Sequence, residues 1–303
     1  MKYFGVLVPI VTPCSKDGKV DTQGLKSVCD DMLNAGCAGI FICGSTGRGP
    51  WFSRKDKITI CKTAAEHIGD VPLYAGCMAN SLEDMLENTQ LMADAGAQFA
   101  VLTSPGYFNY NMQEIETIFT EFADRSPLPV VIYDIPVFTG AKLETAMLSR
   151  LAKHEKVVGF KDSSSDFERF KELIDLLGDD KEFLLIQGKE HLIADTILAG
   201  GSAMTASLLH INPRPFVKLC NAAHAGDAET AQSIQKECID KLFEITNGCF
   251  DRRGEISTLF FLLNACLKKR GVCENILMPH EGECPDWIEA EADKAVEICK
   301  RFE

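Results

Sequence analysis

The sequence predicts an α/β fold, a (β/α)₈ barrel with a C-terminal helical extension, and three observations carry that prediction. Eight short runs rich in Val, Ile, Leu and Phe recur along the chain, and helical patterns separate them. The phrases Asn34-Ala35-Gly36, Asp94-Ala95-Gly96 and Leu198-Ala199-Gly200 each stand at a predicted helix end just before a strand, an echo from unit to unit. The units run roughly 20 to 35 residues each, which suits a closed barrel better than an open sheet.

The predicted strands are Gly5 to Thr12, Gly39 to Cys43, Val71 to Gly76, Phe99 to Thr103, Pro129 to Tyr133, Val157 to Lys161, Phe183 to Gln187 and Ser202 to Ala206. Met1-Lys2 followed by Gly5 to Val11 mimics a short secretion signal. Pro9 interrupts that apolar run and no small-residue cleavage site follows, so it reads as a strand. Leu25, Val28, Met32 and Leu33 keep i, i+3, i+4 spacing, as do Leu82, Met85 and Leu86 behind a Ser81-x-x-Asp84 capping box. Pro213 to His224 reads as the last barrel helix. Further helical patterns follow near Ala228 to Thr246, Glu255 to Lys269 and Pro285 to Arg301. No linker-like composition separates them, so residues 1–224 are assigned to the barrel and 225–303 to an extension packed on it in the same domain, contributing packing or subunit contacts rather than chemistry.

The 303 residues are 46% hydrophobic and 25% charged, an ordinary globular balance that excludes disorder and collagen-like repetition. The formal net charge of -13 opposes binding to nucleic acid or an anionic membrane, and no basic patch counters it. Lys268, Lys269 and Arg270 close an apolar helical stretch, where cations favour the helix dipole, and read as a solvated helix end. Thirteen cysteines are scattered singly without a C-x-x-C pair and read as reduced, mostly buried small hydrophobes. No apolar stretch is long enough to span a bilayer, and a cytoplasmic protein is expected.

In such a barrel chemistry belongs at the carboxyl ends of the strands. The second strand ends Cys43-Gly44-Ser45-Thr46-Gly47-Arg48-Gly49, whose backbone N–H groups can point at one anion; taken alone, such a loop is more often a tight turn without a ligand. The sixth ends Gly159-Phe160-Lys161-Asp162, placing a lysine where an apolar strand meets the barrel mouth. There an amine held neutral attacks a ketone to form a Schiff base, unless the lysine simply reaches solvent or pairs with Asp162. Tyr133 at the end of the fifth strand and Tyr107 after the fourth also fall at the mouth, although either suits a core tyrosine. The six histidines show no metal-binding spacing. The Pro279-His280-Glu281-Gly282-Glu283-Cys284 stretch reads as a solvated loop, so neither metal nor cofactor is expected.

Together, Gly44-Ser45-Thr46-Gly47, Tyr133-Asp134-Ile135-Pro136 and Gly159-Phe160-Lys161-Asp162 resemble the N-acetylneuraminate lyase and dihydrodipicolinate synthase superfamily, over essentially the whole chain. The resemblance implies a class I, metal-independent, pyruvate-handling enzyme, usually a homotetramer. It implies Lys161 as the Schiff-base lysine and Tyr133 as the proton-transferring phenol, with Ser45 and Tyr107 extending the relay, Tyr107 into a neighbouring subunit. It further implies that the N–H groups of Ser45 and Thr46 hold the keto acid's carboxylate. Ser163, Gly188, Glu190, His191 and Met204 would contact the rest of the substrate, with even weight on Glu190 and His191 merely opening a helix.

Two departures stand out. Arg48 occupies a place where many relatives carry glutamate. Phe138 stands where dihydrodipicolinate synthases carry an arginine, and it cannot pair with a semialdehyde carboxylate. The serine in Gly44-Ser45-Thr46-Gly47 and the Ile-Pro-x-x-x-Gly phrase from Ile135 to Gly140 look more like the sialate lyase and 2-keto-3-deoxy sugar acid branch. The expectation is reversible cleavage of such a 2-keto acid to pyruvate and an aldehyde. A sugar acid dehydratase using the same lysine and a barrel that binds a keto acid without turnover are the alternatives, and dihydrodipicolinate synthase activity is disfavoured.

Overall fold

The computed structural model describes residues 5–178, 182–253 and 256–302. Eight parallel strands, β1 (Gly5–Pro9), β2 (Gly39–Ile42), β3 (Leu73–Gly76), β4 (Phe99–Leu102), β5 (Val130–Asp134), β6 (Val157–Asp162), β7 (Leu184–Gln187) and β8 (Ala203–Met204), close in chain order into a barrel. All eight expected strands are present, with ends that differ by up to three residues. Ile10 and Val11, just past β1, are buried: Ile10 N–H still donates to the Phe41 carbonyl of β2, whereas Val11 N–H leaves the ladder for His210 Nε2. Met1 and Lys2 lie outside the described residues.

Strand pleating sorts the apolar residues into two layers. Leu7, Phe41, Tyr74, Val101, Val131, Leu184, Ile186 and Ala203 fill the barrel interior, while the alternate positions pack outward against the helices. The alternation breaks once, in β6. Val130 pairs with Val157 but Val131 pairs with Gly159, so Val158 and Gly159 together oppose a single step of β5. Such a bulge reverses the facing of every later residue in the strand. Val157 and Phe160, three apart, both pack in the outer layer. Lys161 is thereby turned inward, in register with Tyr133.

The helices follow the apolar spacing. Leu25, Val28 and Met32 are the buried stripe of Thr22–Asn34, which Asp21 caps. Ser81 caps Leu82–Asp94, but as half a capping box: its hydroxyl accepts from Asp84 N–H and donates to the Asp84 carboxylate. Aspartate is one methylene too short to reach back to the cap backbone. The full box occurs instead at Asn111 and Glu114, where the longer carboxylate takes the Asn111 N–H at 2.8 Å. Gly36, Gly96 and Gly200 adopt φ of +95°, +105° and +113°, which explains the glycine in each helix-end echo.

Beyond Arg214–His224 the chain forms Ala228–Ile234, a π-helical turn at Gln235–Ile239, then Asp240–Arg253, Ser257–Lys269 and Trp287–Lys300. The turn divides the helix expected at Ala228 to Thr246. Its Gln235 side chain accepts from Ala194 N–H and donates to the Glu190 carbonyl, tying the extension to the loop after β7. Glu255, expected in the next helix, lies outside the described residues. Arg270 is not a solvated helix end: it is largely buried and pairs with Asp31. None of the thirteen cysteines is joined in a disulfide and all but Cys284 are buried, and burial pushes the Cys77 thiol up to about 11. No helix among the described residues is long and apolar enough to cross a membrane.

Candidate active site

A cavity of about 250 Å³ opens at the carboxyl ends of the strands. The loops after β2, β5, β6, β7 and β8 contribute Ser45 and Thr46, Ile135, Ser163, Gly188 with Glu190, and Thr205 with Ser207. Its roof comes from the extension, as Ile256, Leu259 and Phe260. The sequence reading gave that extension no part in the site; an all-apolar run such as Leu259 to Leu263 does not reveal which face meets the barrel mouth.

Lys161 stands at the centre, 6% exposed. Its Nζ lies 3.6 Å from the centroid of the Tyr133 ring and 5.3 Å from that of Phe41 on β2, the strand opposite β6 in the ring. The lysine therefore crosses the barrel mouth rather than reaching solvent. Nor does it pair with Asp162. Pleating sends Asp134 and Asp162, also register partners, outward, where Arg169 from Phe167–Leu177 bridges both, at 2.6 Å to Asp134. Arg169 also donates to Ser164 Oγ and the Leu143 carbonyl. Burial, partly offset by Arg169 and reinforced by Asp162, raises the Asp134 carboxyl to about 6.

The turn after β2 is shaped by close packing at Cys43, a non-glycine residue at φ +54°. A Cβ on Gly49 would stand 1.8 Å from the Cys43 carbonyl oxygen, so no other residue fits there. Within the turn Arg48 N–H donates to Ser45 O and Gly49 N–H to Gly44 O. Among the described residues the N–H groups of Ser45 and Thr46 find no acceptor, which leaves two donors at the cavity edge for an anion.

Arg48 does not act on the cavity as a free cation. Its guanidinium binds both Glu281 oxygens at 2.9 and 3.0 Å, donates to Ile276 O and lies 3.6 Å over the Phe260 ring. Pro279, His280, Gly282 and Glu283 are exposed, as expected of a solvated loop, but Glu281 within the stretch is buried. Burial lowers the Arg48 pKa against the opposing pull of Glu281.

On the far side Gly188 allows β6 and β7 to converge: a Cβ there would meet Ser163 Oγ at 2.2 Å. Glu190 lines the cavity and accepts from Ser207 Oγ at 3.2 Å. Three expected residues lie elsewhere. Met204 packs in the outer layer because β8 turns Ala203 inward, and Thr205 takes the lining position. His191 sits in the 3₁₀ turn Glu190–Leu192, which sends its ring against Phe243, at 4.9 Å between centroids. Tyr107, 76% exposed, lines an adjoining cavity of about 530 Å³ that shares Ser45, Ile135, Phe138 and Ile256 with the first.

A family model described as the dihydrodipicolinate synthetase family matches residues 2–278. The chain is 31% identical over 238 residues to 4-hydroxy-tetrahydrodipicolinate synthase of Methanoculleus marisnigri, covering 78% of this chain and 81% of that protein. It is 32% identical over 248 residues to the protein of that name in Methanosarcina barkeri, covering 81% and 84%. Among solved structures, dihydrodipicolinate synthase from Bacteroides thetaiotaomicron superposes with a TM-score of 0.87 at 24% identity, over 99% of this chain and 98% of that one. CdNal from Clostridium difficile, in complex with mannosamine, gives 0.87 at 17% identity over the whole of both chains.

Proposed function

The chain belongs to the dihydrodipicolinate synthetase family of lyases and synthases, and from that premise we propose that it reversibly cleaves a 2-keto acid of the sialic acid or 2-keto-3-deoxy sugar acid type to pyruvate and an aldehyde. The observation that carries the reading is the inward-turned Lys161 against the Tyr133 ring, in a cavity edged by the uncommitted N–H groups of Ser45 and Thr46.

In this reading the substrate carboxylate rests on those N–H groups, and Lys161 Nζ adds to the C2 carbonyl, expelling water to leave an iminium. As the C3–C4 bond breaks, the C4 hydroxyl passes its proton to the Tyr133 oxygen while the Tyr133 hydroxyl hands its own proton on toward Ser45, along the path that later returns it to C3. The bond's electrons move into the iminium and form an enamine, and the aldehyde departs. Protonation of C3 and hydrolysis then release pyruvate and restore the amine. Ser45 extends the proton path. We assign Tyr107 to a neighbouring copy's path in a homotetramer, a reading supported by the exposure of Tyr107 and Phe108.

The test is borohydride reduction in the presence of pyruvate. A reduced adduct mapped to Lys161, with pyruvate released from a cleaved 2-keto acid, is the expected result. Normal turnover by Lys161→Ala overturns the proposal, and water loss without pyruvate release assigns the dehydratase. The names of the curated relatives favour a second reading, condensation of pyruvate with an aminated semialdehyde. Phe138, half-exposed at the cavity wall, weighs against it, because it offers no charge to the semialdehyde carboxylate.

A further inference from the structure

Besides Lys161, two cations line the cavity, Arg48 and Lys189. Both terminal nitrogens of Arg48 are taken by Glu281 and Ile276, and its buried Nε has no partner among the described residues. Lys189 differs: among the described residues no carboxylate lies within ion-pair distance of its ammonium. The neighbouring Glu190 is buried and turned toward Ser207 on the β8 side. The backbone at Lys189 is nevertheless firmly held. Its N–H donates to Gln187 Oε1 at 2.8 Å, Gln187 donates to Thr196 Oγ1 at 2.9 Å, and Lys189 O accepts from Leu192 N–H. A half-buried cation on a fixed loop of the cavity, where the one carboxylate among the described lining residues, Glu190, is turned toward Ser207, is half of an ion pair that a ligand can complete.

Its position says which part of the ligand. The donors for a keto acid's carboxylate are on the loop after β2, and Lys161 comes from β6 across the ring. Lys189 lies two residues past β7, next to β6 in the ring and three strands from β2, and a chain held by its carboxylate at the β2 loop and by C2 at Lys161 can extend toward it within the same cavity. The loop after β5 offers only the apolar Ile135, Val137 and Phe138 to that chain. We propose that Lys189 binds an anionic group at the far end of the substrate, so that the aldehyde released carries a carboxylate or a phosphate. The inference rests on the lyase reading above and narrows its substrate class.

Competition for the imine tests it without requiring the natural substrate. Protein would be mixed with equal 2-ketohexanoate and 2-ketoadipate, which differ in the terminal carboxylate, and reduced with borohydride, and the two adducts on Lys161 compared by mass. A second pair, 2-keto-3-deoxygluconate and its 6-phosphate, tells phosphate from carboxylate. The expected result is an excess of the anionic adduct in at least one pair, roughly 10- to 100-fold, the scale of one charge-assisted hydrogen bond. Lys189→Met should abolish the excess and Lys189→Arg largely keep it, with pyruvate trapped equally in all three proteins. Equal adducts in both pairs, an excess that survives Lys189→Met, or trapping of pyruvate but of neither long acid would overturn the inference alone. Failure to trap pyruvate in the unaltered protein would instead remove the lyase reading and this inference with it.

Discussion

Lys161 Nζ rests 3.6 Å from the centroid of the Tyr133 ring, and the two residues are register partners across β5 and β6. This pairing depends on the bulge at Val158 and Gly159. Without the extra residue Lys161 would face the helices and Asp162 the cavity. The same register puts Asp134 opposite Asp162 on the outer face, where Arg169 clamps the two strand ends together.

Tyr133→Phe keeps the ring beneath the lysine and removes only the hydroxyl. If that hydroxyl moves the proton during C3–C4 cleavage, kcat should fall roughly 10²- to 10⁴-fold with little change in KM, the usual contribution of a general acid-base group. Borohydride trapping of pyruvate should persist. Turnover within a few-fold of the unaltered protein would assign the proton transfer to another group.

The Asp134 carboxyl, raised from 3.8 to about 6 chiefly by burial, holds a proton in the folded state that the unfolded chain has already lost. Its contribution to stability is therefore largest in acid, falls as pH rises from about 4 to about 6, and is flat above. Asp134→Asn is neutral throughout. In urea titrations the stability of this variant relative to the unaltered protein should improve as pH is raised from 4.5 to 6.5, and a constant difference would contradict the assignment.

His210 gives a slope of opposite sign. It is fully buried, accepts the Val11 N–H on Nε2 at 3.1 Å and donates from Nδ1 to Ser207 O at 2.9 Å. Burial lowers its pKa from 6.5 to about 4, with Ser207 opposing the shift. Stability from this group is complete above about 6.5 and is lost as pH falls toward 4. His210→Gln should lack that part of the acid limb, and an unchanged limb would show that other groups produce it.

Much of this was legible in the sequence because it is local. Apolar runs marked all eight strands, and motif residues at their ends marked Lys161, Tyr133, Ser45 and Thr46, which the barrel gathers around one cavity. What could not be read depends on register or on distant partners. Val157-Val158-Gly159-Phe160 is apolar on both faces, so its pattern carries no sign of a bulge. Met204 and His191 were assigned by position in a motif, but pleat parity and a 3₁₀ turn decide where they point. The role of Arg48 depends on Glu281, 233 positions away. Lys189 did carry a signal, as a cation two residues beyond a strand end, next to a glycine.

The Arg48–Glu281 pair should behave as a buried ion pair, its side chains 10% and 4% exposed. Removing one partner leaves the other charge buried without compensation, at a cost of about 3 to 5 kcal/mol. Glu281→Leu alone is thus expected to destabilise strongly. The double variant Arg48→Met with Glu281→Leu should recover much of the loss, as measured by denaturant titration. Additive losses in the two single variants would mean that the pair does not act as a unit.

The loops after β6 and β7 separate residues that face the cavity from one that does not. Ser163 and Glu190 line it, whereas His191 lies against Phe243 with its pKa lowered chiefly by burial. A site that hydrogen-bonds substrate hydroxyls loses turnover when its own polar groups are removed. Ser163→Ala and Glu190→Ala should accordingly impair cleavage of a polyhydroxylated 2-keto acid, each by roughly ten-fold or more, while pyruvate trapping at Lys161 continues. His191→Ala should leave cleavage within about two-fold and lower stability by roughly 1 to 2 kcal/mol through lost packing. Equal loss of cleavage and trapping in the Ser163 and Glu190 variants would indicate that these residues only support the loops, and a large effect of His191→Ala on cleavage alone would require its ring to reach the substrate.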